Sequence, residues 1–227
     1  SRHRLGLALL LGCVVVISVT CTQRSLEWIG RPFNGFFMAR NLVVTPIALT
    51  HWSGPKAGVP YRWHLVAIDG QPVESVTQAL DAARQAGPGR VLNYTFARQG
   101  KRVTVPIPVV TFTSFDHFTI FGSYFLNGLT FLLMGFLAAF LRPRLEAAQA
   151  MLALSLSYGM SLVISLADFA SFEFRPLYSV AHAAAPATAL YLAASFPTEQ
   201  PWLHRGKLKL LLLVSTALLA TIDITLY

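Results

Sequence analysis

Apolar runs of about 18 to 24 residues alternate along this chain with short clusters of positive charge, and that alternation restricts the fold more than any other feature. The runs cover roughly 5–22, 118–141, 147–167, 177–196 and 208–227. The clusters are Arg2 and Arg4, then Arg142 and Arg144, then Arg205, Lys207 and Lys209. A helix rises about 1.5 Å per residue, so each run is long enough to cross a hydrocarbon layer about 30 Å thick. With Arg2 in the cytoplasm all three clusters fall on the cytoplasmic face, as the positive-inside rule requires. Arg175 alone sits in an outer loop against that pattern. The expected fold class is an α-helical polytopic membrane protein of about five spans, with a small α+β domain inserted outside after the first span. Residues 1–24 then form a cytoplasmic N-terminus and signal-anchor helix, 25–115 the extracytoplasmic domain, and 116–227 four further spans. A bacterial cytoplasmic membrane is the expected location.

Composition narrows the function classes. Charged residues are 12% of the chain and hydrophobic ones 54%, about half the charge of an ordinary soluble domain. The net charge of +8 does not imply nucleic-acid binding, because the cations are divided between the polar block and the flanks of apolar runs. A phosphate-binding patch is contiguous. Both cysteines, Cys13 and Cys21, lie in the first apolar run and read as small helix residues. Leu10-Leu11-Gly12-Cys13 has the look of a lipoprotein cleavage box, but apolar sequence continues through Val19 and no small-residue cleavage site follows. An uncleaved anchor is expected, and the outer domain must hold together without a disulfide.

The 25–115 block is punctuated by Gly54-Pro55, Asp69-Gly70, Gly87-Pro88-Gly89 and Gln99-Gly100. Leu42–Leu49 and Trp63–Ile68 read as strands, being rich in Val, Ile and Leu. Ser75–Ala86 reads as a helix, capped by Ser75 with Gln78 completing a capping box and stopped by Gly87-Pro88. Arg90–Ala97 and Arg102–Val109 form a hairpin about Arg98-Gln99-Gly100-Lys101, with Leu92, Tyr94 and Phe96 facing the core. Pro106 and Pro108 cannot donate to a ladder and place the second strand at a sheet edge.

Gly54-Pro55-Lys56-Ala57-Gly58-Val59, followed by Val66-Ala67-Ile68-Asp69-Gly70-Gln71-Pro72-Val73, a helix and a strand pair, resembles a bacterial PDZ domain over about 75 residues. The family usually has Gly-Asp where this chain has Arg62-Trp63. The resemblance implies a groove that accepts an extended peptide as an added strand. Carried onto this chain, the groove runs beside Val76, Leu80 and Ala83, with the carboxylate-receiving loop near Gly35-Phe36-Phe37-Met38. The plainer reading of Val76, Leu80 and Ala83 is inward packing, with the groove empty or filled by the chain itself.

Phe115-Asp116-His117 leads into the second span with almost no flexible linker, so movement of the domain is transmissible to that helix. Asn127, Gly128, Thr130 and Gly135 supply small or polar positions for close helix packing. The Arg142-Pro143-Arg144 turn and the Leu190–Pro197 stretch ending in Phe196-Pro197, before a charged loop at Thr198–Arg205, resemble the multi-span sensory region of bacterial signalling proteins. The competence quorum-sensor histidine kinases, which carry a PDZ-like domain outside, are the family so implied; related regions precede cyclase and phosphatase domains. Leu208–Tyr227 ends without a polar flank, from which the polypeptide is expected to continue into an output domain.

The expected function is thus a membrane sensory input region whose outer domain binds a peptide or envelope protein. The alternative is a membrane-anchored scaffold or accessory subunit. The partners admitted are that peptide or protein, the lipid bilayer and a second copy in a homodimer, with no nucleic acid. His182 and Asp223 form a candidate proton- or ligand-sensing pair, against a plain reading of interfacial solvation. Asp168, Glu173 and Arg175 read as solvated loop charges. Neither a H-E-x-x-H, a G-x-S-x-G, a Walker loop nor a paired-Cys site is present. No catalysis, metal or cofactor is expected within these residues.

Overall fold

The computed structural model describes residues 2–168, 173–196 and 206–226. It divides into two compact units, Leu26–Thr119 and, separately, Ser1–Ser25 with Ile120–Leu226. The chain opens with helix α1 (Arg2–Leu26) and then enters the first of these units at strand β1 (Pro32–Phe33).

That unit is a small α+β domain. A short helix α2 (Ser53–Ala57) precedes β2 (His64–Ile68) and β3 (Gln71–Pro72); α3 (Val76–Ala86), β4 (Val91–Arg98), β5 (Lys101–Pro108) and β6 (Val110–Thr111) follow. Four strands make an antiparallel sheet in the order β3-β2-β4-β5. The β4–β5 hairpin pairs Arg98 with Lys101 across Gln99-Gly100. Both turn residues have positive φ, 49° and 79°, the conformation that matches the twist of two-residue hairpins. Leu92, Tyr94 and Phe96 are buried as the alternation requires, and Val105 and Ile107 join them from β5. Pro106 and Pro108 are exposed on the outer strand, where a missing donor breaks no ladder. In β2 the inward residues Leu65 and Ile68 are three apart because the register shifts between Leu65 and Ala67.

Two local expectations are corrected. Leu42–Leu49 is not a strand: Leu42 turns the chain with φ 61°, and only the bridges Met38–Val44 and Val43–His64 form there. Pro46, without an N–H, ends the pairing. The cap of α3 is also shifted. Ser75 Oγ accepts the Gln78 N–H at 3.2 Å, but the Gln78 side chain takes the Glu74 N–H at 2.8 Å, one residue before the expected partner.

Without disulfides the domain is held by aromatic packing. Trp28, Phe33, Phe37, Trp52 and Phe112 form one buried cluster with ring centroids between 4.8 and 6.1 Å apart. Edge-to-face contacts of this kind are worth about 0.5–1.5 kcal/mol each beyond area burial. The cluster lies where β1 and β6 pair, Phe33 opposite Val110, so the chain leaves the domain beside the place where it came in.

In the other unit every apolar run is helical within the described residues. Helix α4 (Ser114–His117), which closes the α+β unit, a π turn (Phe118–Gly122) and α5 (Ser123–Leu141) follow one another without a break. After the Arg142-Pro143-Arg144 turn come α6 (Glu146–Leu154), a second π turn (Ser155–Gly159), α7 (Met160–Asp168), α8 (Arg175–Ser195) and α9 (Gly206–Leu226). Three helices among the described residues are long and apolar enough to cross a membrane: Arg4–Leu26, Ser114–Leu141 and Glu146–Ser165. These make the chain a membrane protein. α8 is not among them, its apolar residues being diluted by Arg175, Ser179 and His182, and the apolar part of α9 is the shorter Leu210–Thr225. The charged loop expected at Thr198–Arg205, Pro197 and Tyr227 lie outside the described residues, as do the side chains of Asp168, Lys207 and Lys209.

Gly128 and Gly135 let α5 close onto the α6–α7 helix. A Cβ on Gly128 would lie 2.8 Å from the Gly159 carbonyl oxygen, and one on Gly135 would lie 2.4 Å from Ser155 Cβ. The second π turn brings Ser155 and Gly159 to this contact. Asn127 and Thr130 instead bond their own helix, to the Ser123 and Leu126 carbonyls, and stay exposed.

Candidate functional site

The seven residues expected to line a peptide groove are all buried. Phe36 packs on Tyr94 and Phe96 with centroids 5.3 and 5.6 Å away. Phe37 belongs to the aromatic cluster, and Met38 is 4% exposed. Val76, Leu80 and Ala83 point into the core together with Ala79, and α3 packs against β1. Inward packing therefore describes them in this structure. A cavity of about 710 Å³ opens on another face of α3, lined by Gln78, Ala82 and Gln85 with Ile68, Asp69 and Arg90.

The loop that holds Gly35 has unusual chemistry. Gly35 has φ +79°, and a Cβ there would lie 2.0 Å from Ser53 Oγ. Gly54 sits as closely from the other side: its N–H donates to the Gly35 carbonyl at 3.1 Å, and a Cβ on it would lie 2.4 Å from that oxygen. Only glycine fits either place. Asn34 is fully buried, and its Oδ1 accepts from the Tyr94 hydroxyl at 3.0 Å. Asn34 Nδ2 and Ser53 Oγ are buried with no hydrogen-bond partner. Two orphaned polar atoms thus flank one loop, where most buried polar groups find a partner. Burial pushes the Tyr94 phenol well above its usual pKa, and the Asp69 charge adds to the shift.

Beside this loop, Thr45 N–H donates to Phe37 O and Ala39 N–H to Val43 O. Met38 and Val44 are thus a non-hydrogen-bonded pair, and the Met38 N–H and C=O point away from that partner.

At the end of the domain Asp116, 1% exposed, gathers four donors. Its Oδ1 accepts from Trp52 Nε1 at 2.9 Å and meets His51 Nε2 at 2.7 Å. Its Oδ2 accepts from the Thr113 N–H and hydroxyl, each at 2.7 Å. Thr113 in return accepts the Asp116 N–H, a reciprocal capping box that starts the helix. Sequence reasoning reached Asp116 only as part of a short connection. The Thr113-Ser114-Phe115-Asp116 spacing before an apolar run was the available signal; nothing in the sequence pointed to His51, Trp52, Asn34 or Ser53.

In the helical unit the His182–Asp223 pair does not form. Asp223 is held by Arg175 Nη2 at 3.3 Å to each carboxylate oxygen, and by the Ser179 hydroxyl. His182 stacks on Tyr178 with centroids 5.4 Å apart, and Tyr178 carries the Arg175 guanidinium on its other contact. Arg175 is therefore a helix–helix partner, not a solvated loop charge; its side chain is 18% exposed. Glu173 pairs with Arg24 at 3.6 Å, both about half exposed. Among the described residues no group of three or more His, Cys, Asp or Glu side chains is placed to hold a metal ion.

Comparison with known proteins gives partial likenesses. An HtrA-type protease, AlgW with decapeptide, aligns with 35% of this chain at 15% identity and TM-score 0.33. A serine endoprotease from Yersinia pestis aligns with 35% at 19% identity and TM-score 0.32. The alignment spans 29% of each of those chains. No family model and no curated protein matches. What the fold itself defines is a membrane protein with a separate α+β domain.

Proposed function

We propose that the chain is the membrane input region of a bacterial signal-transduction protein, with a PDZ-like domain outside the cytoplasmic membrane. The domain takes an extended peptide or protein segment and passes the event through about five spans to an output domain of the kinase, cyclase or phosphatase kind. The observation that carries this reading is the helix that begins inside the α+β domain, is fastened there through Asp116 to His51 and Trp52, and runs on without a break to Leu141. A rearrangement that moves the His51–Trp52 segment acts on the first turn of that helix. A ligand shifts such an equilibrium only by preferring one arrangement. The outward Met38 backbone groups supply an edge to which a strand can add.

The test uses the full chain in lipid nanodiscs, a spin label at Leu126 on the exposed side of α5, and a library of ten-residue peptides with free or amidated C-termini. Binding by free-acid peptides with a change in label mobility is expected, and Asp116→Asn should keep the binding and lose most of the mobility change. Binding with an unmoved label returns the scaffold reading. No binding by any library member sinks both.

A further inference from the structure

The helical unit contains an apolar groove of about 720 Å³ between α1 and α5. Leu11, Val15 and Val19 line one wall and Leu129, Leu133 and Leu137 the other. Among the described residues its polar lining is Arg4 and Ser18. Both helices are among those long and apolar enough to cross a membrane, so the groove lies in hydrocarbon, where an unfilled concavity forfeits dispersion contacts. The part of the occupant away from Arg4 must be apolar, since Ser18 is the one polar residue among the described ones along the walls.

Its size and its charged end select among apolar occupants. From Arg4 to Val19 the α1 wall runs about 22 Å at about 1.5 Å per residue. One membrane leaflet offers hydrocarbon of about 15 Å, half the core, so an acyl chain that enters beside Arg4 runs along about two thirds of that wall. At the mouth the Arg4 guanidinium lies over the Phe140 ring, 5.8 Å from its centroid. Arg142 and Arg144, both exposed, follow directly after α5 at the same end. A cation on an aromatic face, at the helix end that two further arginines follow in sequence, is complementary to a phosphate.

We propose that this groove is a binding site for an anionic phospholipid, with one acyl chain between α1 and α5 and its phosphate at Arg4. The site is independent of any peptide held by the outer domain.

The experiment is native mass spectrometry of the full chain in mild detergent, titrated with phosphatidylglycerol or with phosphatidylcholine of the same acyl chains. One phosphatidylglycerol per chain should be retained, about tenfold in preference to phosphatidylcholine. Arg4→Gln should reduce that preference to near unity. Leu133→Trp, which fills the groove from a side chain 61% exposed, should cut retention of both lipids at least fivefold. Retention of neither lipid overturns the proposal, and so does equal retention by parent, Arg4→Gln and Leu133→Trp. A lipid-free dimer that Leu133→Trp dissociates overturns it too, by assigning the groove to a second copy. Circular dichroism accompanies each variant; if Leu133→Trp loses helix, the exposed Arg4→Gln decides the matter alone.

Discussion

Arg62 shows how a departure from pattern becomes a structural cost. It has φ 61° at the position where the resembling family carries glycine, yet the turn still forms: Arg62 N–H bonds Val44 O at 3.1 Å, and Val44 N–H bonds Trp63 O at 2.9 Å. A side chain in the left-handed region costs about 1–2 kcal/mol, against about 0.5–1 kcal/mol of extra chain entropy for glycine. Arg62→Gly should therefore raise unfolding stability by about 0.5–1 kcal/mol in a denaturant titration. Tyr94 supplies a pH-dependent counterpart. Its phenol is raised by burial, so the folded state holds the proton more tightly than the unfolded chain does. That contribution is whole below about pH 10, the usual tyrosine value, and is lost as pH climbs beyond it. Tyr94→Phe removes the bond to Asn34 and should cost about 1–3 kcal/mol near neutrality. The gap between parent and variant should then shrink between pH 10 and 11. A constant gap would show that the phenol ionises as freely in the fold as outside it.

Among the elements, the helix pair α5 and α6–α7 depends on having almost nothing at two positions. Gly135→Ala places a methyl 2.4 Å from Ser155 Cβ and Oγ, and overpacking of that kind costs about 1–3 kcal/mol. Gly12→Ala in α1 meets nothing within 4 Å and should gain about 1 kcal/mol from helix propensity. Thermal melts in detergent should move in opposite directions for the two substitutions. Equal shifts would mean that the glycines act through propensity alone. Of the four positions read as packing sites, Gly128 and Gly135 meet the neighbouring helix, while Asn127 and Thr130 bond their own helix and stay exposed. The π turn that brings Ser155 and Gly159 against the two glycines was not legible, since no sequence period marks a single wide turn. The α3 cap was legible to within one residue, while Leu42–Leu49 misled. Its β-branched and aliphatic content satisfies a strand rule that takes no account of which backbone angle Leu42 must adopt to reverse the chain.

For the whole molecule the central expectation is orientation. In a background with Cys13 and Cys21 replaced by serine, Arg98→Cys should react with a membrane-impermeant maleimide added to intact spheroplasts, and Arg142→Cys only after lysis. The reverse pattern would invert the expected topology and place the α+β domain out of contact with external ligands. Apolar length, cation placement, turn dipeptides and strand alternation are properties of neighbours in the chain, and those the sequence determined alone: the helices, the α+β block, the β4–β5 hairpin, the inward Leu92, Tyr94 and Phe96. The tertiary structure decided whatever joins distant residues. It set Asp116 against His51 and Trp52 across more than sixty positions, gave Asp223 to Arg175 instead of His182, and packed Phe36 and Phe37 against aromatic rings. Partner choice between distant side chains is fixed by which cavity closes without a void or an unpaired charge, and that is a property of the packed core which no window of sequence contains.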